Sequence, residues 1–203
     1  MVLKMIKADL HIHSTMSDGS CSIEEVIQLA KEKGLTHIAI TNHDTVKGLK
    51  EAIELGKKYG VEVIPGVEIS AYDYKRNRKV HLLGYGIDLK NKALNKKMID
   101  LKDNSINSVL SVMEQIKRDY GIRFRYDDIR ELVNANHNLG RPDLAKLCVK
   151  YGYASSVQDA FDKYLNAARN KTRSTGKGIP YDECFELILK SGGVPVLAHP
   201  KSL

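Results

Sequence analysis

The chain is expected to fold as an α/β protein, with short buried strands forming a parallel sheet or barrel, helices outside it, and an inserted helical lobe. Three observations predict this. Short strand-like runs recur at about residues 7–13, 37–42, 61–69, 80–87 and 194–198. Amphipathic segments with helical spacing and terminal signals lie between the early runs. From Asn91 to about Leu165 the strand-like runs give way to an almost wholly helical pattern.

Lys7 to His13 forms the first strand. Ser22 and Glu25 then stand at the spacing of a capping box, ahead of an amphipathic helix from Ile23 to Lys33 that Gly34 closes. The apolar run His37 to Thr41 is the second strand, followed by a helix from about Val46 to Tyr59 that stops at Gly60. Val61 to Ile69 and Val80 to Ile87 are the third and fourth strands. In the lobe, Leu94, Met98 and Leu101, then Val109, Val112, Met113 and Ile116, keep helical spacing, and Pro142 suits a first helical turn. The strand and helix pattern returns with a helix from Tyr181 to Lys190, a Gly192-Gly193 turn and the strand Val194 to Ala198. Residues 1–90 and 176–203 therefore read as the core, and 91–175 as the helical insertion.

With 203 residues, the chain suits one domain with a continuous core. Its 42% hydrophobic and 28% charged residues exclude a disordered or fibrous class. The longest apolar runs, such as Gly193 to Ala198, fall far short of the roughly 20 residues that cross a bilayer. Met1 to Ile6 lacks the features of a signal peptide, and a cytoplasmic location is expected. Cys21, Cys148 and Cys184 are far apart and in no metal or redox spacing, which reads as reduced structural thiols. The formal charge of +7 favours anionic partners such as nucleotides, although solvated helix faces such as Lys96-Lys97 and Lys171 to Arg173 account for much of it. No obligate protein partner is evident.

Chemistry concentrates at strand ends. His11 and His13 are one residue apart, so the pleat turns both imidazoles to one face, and a His-x-His pair there suits a metal ion. His43 follows Ile38-Ala39-Ile40, Glu68 follows Val61 to Val67, and His199 ends the last strand, so all three are placed at carboxyl ends, where active sites of parallel barrels assemble. Taken singly, these residues could be strand caps, an exposed turn or a helix start; their convergence favours a site. His81, within the fourth strand, could equally be a core histidine. His37 and His137 have no comparable setting and read as structural.

Taken together, these residues resemble the motifs of the PHP (polymerase and histidinol phosphatase) family. The matching segments are, in order, Asp9 to Gly19, Ile40 to Asp44, Gly66 to Ser70, His81 to Tyr85, and Leu197 to Pro200. Within the family the chain looks most like stand-alone bacterial phosphoesterases that hydrolyse 3′,5′-bisphosphonucleotides and trim short RNA from the 5′ end. Gly140-Arg141-Pro142 and Tyr151-Gly152-Tyr153 in the insert are similar to theirs, whereas Asn42 stands where that branch usually has Asp. The resemblance implies a distorted barrel of about seven strands and two or three divalent ions. The first ion would be held by His11, His13 and Glu68, the second by Glu68, His81 and His199, and the third by Asp18 and His43. Mixed imidazole and carboxylate ligands suit manganese, iron or zinc better than magnesium or calcium. The implied reaction is hydrolysis of a phosphomonoester or terminal phosphodiester of a nucleotide or short nucleic acid by a hydroxide bridging two metals, with Asp18 and His43 at the reacting centre and Arg141 as a phosphate clamp. A histidinol-phosphate-type phosphatase and a non-catalytic metal-binding module are the rival readings. Because family members carry an Asp-x-His pair beyond the Ala-His-Pro strand, the chain is also expected to be C-terminally truncated, with vacant ligand positions that Asp44 or His137 would otherwise have to fill. An unpaired sheet edge that favours association would follow.

Overall fold

The computed structural model describes residues 6–134, 139–172 and 179–200. His137 lies outside them. The chain divides into two compact units, Met1–Ile99 with Gly178–Leu203, and Asp100–Lys177.

The first unit is built on strands β1 (Ala8–Ile12), β2 (His37–Ile40), β3 (Glu62–Asp73), β4 (Arg78–Tyr85), β5 (Ile179–Pro180) and β6 (Val194–Leu197). The sheet order is β1-β2-β3-β4-β6, with β5 paired to β3. β1, β2 and the start of β3 run parallel, as the alternating pattern predicts. The β3–β4 and β4–β6 pairs are antiparallel, which corrects the all-parallel expectation, while the short β5 joins β3 in parallel. Closure into a barrel is not formed among the described residues, where β1 and β6 are the two ends of the strand order.

The physical reason lies in β3, whose twelve residues run past the predicted end at Ile69. Its first part, Glu62 to Pro65, pairs with β2, while Gly66 to Asp73 pairs with β4, so one strand serves two partners in succession. The hairpin turn is shaped by Asp73, whose Oδ1 accepts hydrogen bonds from the backbone of Lys75 and Arg76, both at 3.1 Å. In β6, the N–H of Ala198 donates to the carbonyl of His81 at 3.0 Å, and Pro195 lies opposite Gly84.

Helix α1 (Ile23–Glu32) carries the predicted capping box: Ser22 Oγ accepts from the Glu25 N–H, and a Glu25 carboxylate oxygen accepts from the Ser22 N–H at 2.7 Å. Helix α2 (Leu49–Tyr59) starts three residues later than expected. Gly48 precedes it with φ of +77°, and a Cβ there would lie 2.2 Å from Ile23 Cδ1, so this position needs glycine both for its backbone and for the close approach of α1. Apolar faces of α1 and α2, together with β2 and β3, bury Ile27, Ile38, Ile40, Leu49, Val67 and Ile69. Helix α3 (Lys92–Tyr120) begins in this unit.

The second unit continues α3 and adds α4 (Tyr126–Val133), α5 (Arg141–Lys150) and α6 (Val157–Ala160), a π-helical turn (Phe161–Leu165) and α7 (Asn166–Thr172). Val112, Ile116, Leu144, Cys148 and Leu165 form its core. Helix α8 (Tyr181–Lys190) returns to the first unit and packs Cys184 and Ile188 inward. Burial pushes the Cys148 thiol up to about 11 and the Cys184 thiol up to about 12, in keeping with inert structural thiols. No helix among the described residues is long and apolar enough to cross a membrane.

Candidate metal centre

The site is organised around Glu68, a carboxylate only 1% exposed yet hydrogen-bonded on both oxygens. Oε2 lies 3.0 Å from His11 Nε2, 3.1 Å from His13 Nε2 and 3.5 Å from His43 Nδ1. Oε1 lies 3.0 Å from both His81 Nδ1 and His199 Nε2, and those two ring nitrogens are 3.3 Å apart. Asp18 extends the cluster, with Oδ1 at 3.1 Å from His13 Nδ1 and Oδ2 at 3.7 Å from His43 Nε2.

Each element delivers its ligand for a local reason. β1 ends at Ile12, so His11 and His13 share the face that the pleat gives them. His43 follows β2 and forms a parallel bridge with Glu68. Glu68 is not at the carboxyl end of its strand, as the sequence suggested, but in its interior, just beyond the stretch paired to β2. The β3–β4 register sets Ser70 opposite His81, which brings His81 onto the Glu68 face. His199 follows β6 with φ of +29°, a left-handed conformation that is unusual for a residue with a side chain.

Electrostatics follow from this crowding. Burial alone would raise the Glu68 carboxyl, but hydrogen bonds from His13, His81 and His11 outweigh it and hold the group well below the usual carboxylate range. The Glu68 hydrogen bond raises His13 above its ordinary value against the opposing effect of burial. Burial lowers His43. The donor set of five imidazoles and two carboxylates fits borderline divalent ions. Among the described residues three ligand groups each converge within 4.8 Å: His11, His13 and Glu68; His13, Asp18 and His43; and His43, Glu68 and His81. The last was not foreseen, because it depends on His43 reaching both sides of the cluster.

Two further residues were undervalued in the sequence. Asn42 is fully buried, and its Oδ1 accepts from the Ser14 N–H at 2.8 Å and from Ser17 Oγ at 2.9 Å, fixing the loop that carries His13 and Asp18. An uncharged polar residue closing an apolar strand was the available signal. Asp44, with φ of +50°, accepts from the Ser70 N–H at 2.7 Å, and burial raises its carboxyl. It thereby ties the β2 exit to β3. His37 lies at the start of β2, with Nδ1 2.8 Å from Thr36 Oγ1 and Nε2 3.1 Å from Glu62, outside the cluster's contacts.

Gly19 closes the same loop so tightly that a Cβ would lie 2.4 Å from the His13 carbonyl oxygen and 2.7 Å from the Ser14 nitrogen. Backbone cannot yield as a side chain can. Gly19→Ala is therefore expected to displace His13 and Asp18 and lower any metal-dependent activity on the order of a hundredfold. Elemental analysis alongside rate measurement checks this.

Arg141 lies in the second unit, at the start of α5. Its guanidinium sits 5.2 Å above the Phe161 ring, and Nη1 donates to Asn166 Oδ1 at 3.3 Å. Burial, with a smaller contribution from the like charge of Arg169, lowers its pKa.

The PHP domain model matches residues 9–174. The chain belongs to the PHP family. Relatives of this PHP chain include the phosphoribosyl 1,2-cyclic phosphate 1,2-diphosphodiesterase of Eggerthella lenta, 35% identical over 96% of this chain and 74% of the relative. The 5′-3′ exoribonuclease of Haemophilus influenzae is 30% identical over 96% of this chain and 69% of its own length. The fold is similar to a solved structure described as a metal-dependent phosphoesterase from Bifidobacterium adolescentis. The TM-score is 0.74 at 26% identity, covering 95% of this chain and 66% of that one. The PHP chain thus spans about two thirds to three quarters of the length of these proteins, whose names are those of a phosphodiesterase, an exoribonuclease and a phosphoesterase.

Proposed function

We propose that this PHP chain is a metal-dependent phosphoesterase that hydrolyses a phosphomonoester or terminal phosphodiester of a nucleotide or short oligonucleotide. The observation that carries the reading is the buried Glu68 carboxylate flanked by five imidazoles, with Asp18 joining from the rim. His11, His13 and Glu68 would hold one divalent ion, and Glu68, His81 and His199 a second. Asp18 and His43 would hold a third. Manganese, iron or zinc fits this donor set. Such ions, when bound, supply a nucleophile at neutral pH and neutralise phosphoryl charge.

The protein's own residues set the geometry for that chemistry. Glu68 fixes the ring orientations on both sides, because each of its oxygens accepts from a different group of histidines. Asp18 holds His13 from the opposite ring nitrogen, which keeps Nε2 turned to Glu68. Asn42 keeps Ser17 and Asp18 in place beneath. The rates of the metal-loaded protein on a nucleoside 3′,5′-bisphosphate, a short 5′-phosphorylated RNA and histidinol phosphate test the reading. Turnover of the first two supports it. Preference for the third would make the chain a small-amine phosphatase, and activity on none would make it a binding module.

Arg141 belongs to the proposal as a phosphate ligand, on the strength of the motif resemblance and of a planar cation already braced against Phe161. Arg141→Ala is expected to raise KM and lower turnover by the equivalent of about 1.5–3 kcal/mol while leaving metal content unchanged. An effect below about twofold, or less than 0.5 kcal/mol, would return it to a structural cation–π contact.

A further inference from the structure

We propose that the tip of the β3–β4 hairpin binds the chain of a single-stranded nucleic acid whose end is held at the metal-ligand cluster; this rests on the phosphoesterase reading above. Directly paired residues of an antiparallel ribbon share a face, and side chains alternate along each strand. Ser70 pairs with His81, and Tyr72 with Lys79, so the face that carries Glu68 and His81 continues outward through Ser70 to Tyr72 and Lys79. Tyr74 follows at the turn. Exposure rises along this path, from 1% at Glu68 to 51% at Tyr74.

The tip has the composition that such a partner requires. Tyr72 and Tyr74 meet edge to face with ring centroids 4.9 Å apart, and the Tyr72 hydroxyl donates to Asn77 Oδ1 at 2.7 Å, which braces the pair. Lys75, Arg76, Arg78 and Lys79 follow within five residues. The one carboxylate in this segment, Asp73, is buried and already engaged by Arg76 Nη1 at 3.0 Å, so the surface presents net positive charge. Aromatic faces interleaved with cations suit bases and phosphates of any sequence. A mononucleotide would not use this surface: Tyr72 lies four residues from Glu68, about 13 Å along the strand. An extended strand running outward from the cluster would lay later phosphates against Lys75 and Lys79, and a base against Tyr74.

The test compares the parent chain with Tyr74→Ala and with the pair Lys75→Ala and Lys79→Ala. Binding of a 3′-labelled, 5′-phosphorylated oligoribonucleotide is read by fluorescence anisotropy over a salt series, and kcat/KM is measured on that oligonucleotide and on a nucleoside 3′,5′-bisphosphate. Tyr74→Ala is expected to weaken oligonucleotide binding, and to lower the ratio of the two kcat/KM values, by about tenfold. Removing both lysines should flatten the slope of log affinity against log salt by about 1.4, the value for two single-strand phosphates. An unchanged ratio together with an unchanged salt slope would overturn the proposal. So would a heparin-like polyanion binding the parent as tightly as the oligonucleotide and losing as much affinity in Tyr74→Ala, since that ligand has no bases to stack. Because anisotropy needs no turnover, a chain that binds through the hairpin yet cleaves neither substrate would refute the phosphoesterase reading and leave the hairpin assignment standing.

Discussion

Glu68→Gln is expected to abolish hydrolysis. The substitution keeps the volume of a side chain that is 1% exposed, so the sheet around it has little reason to repack. What changes is the charge between two sets of imidazoles, one on each oxygen. A carboxamide offers one acceptor and one donor where the carboxylate offers two acceptors, so one set of rings must turn or lose its partner. Glu68 also belongs to two of the three ligand groups, and two ions would lose affinity together. The several kcal/mol that metal ions contribute to a developing phosphoryl charge would go with them, a loss on the order of a thousandfold or more in kcat/KM. Elemental analysis and single-turnover rates decide it; full metal content with parent-like rates would remove Glu68 from the centre.

His13→Ala should come second in effect. His13 would turn Nε2 to the ion beside Glu68 while Nδ1 meets Asp18, so its loss strips a ligand from one site and the partner that positions Asp18 at the other. A fall of about a hundredfold or more in kcat/KM is expected, with less bound metal. The metal-free protein gives an independent readout. The His13 pKa is raised above its ordinary 6.5 by the hydrogen bond to Glu68, so this pair contributes stability that is fully present below 6.5 and is lost as the pH rises through the raised value. Metal binding has the opposite preference, because it needs the neutral ring. The thermal midpoint of metal-free His13→Ala should therefore vary less with pH across the histidine range than that of the parent, and identical profiles would count against the pairing.

The sequence made the local signals legible. The capping box at Ser22 and Glu25, the helix from Tyr181 to Lys190 and the spacing of His11 and His13 each depend on residues within a few positions of one another. Pairing between distant strands was not legible in the same way. The apolar run ends at Ile69, yet Ser70 to Asp73 are held in β3 by β4, whose partner register no local pattern announces. The same tertiary pairing turned an expected parallel layer into a mixed sheet. Nothing in the residue types of Val46 and Lys47 marks the later start of α2, which follows from the left-handed backbone of Gly48 at φ +77° and its close approach to Ile23. For the site, residue type was sufficient to nominate the ligands. The roles of Asn42 and Asp44 came into view only with the loops that they fasten.

Among the described residues β6 is one end of the strand order, and one of its residues changes what that edge can do. The Ala198 N–H points to β4, and alternation then directs the N–H groups of Val194 and Val196 the same way, leaving positions 195 and 197 facing outward. Position 195 is proline and has no N–H to give. An incoming strand would find a gap in the row of donors that it needs and could not zip along the full length of β6. The expectation that an unpaired edge favours association is thus tempered here: β6 carries its own protection against the sheet-to-sheet growth that begins amyloid.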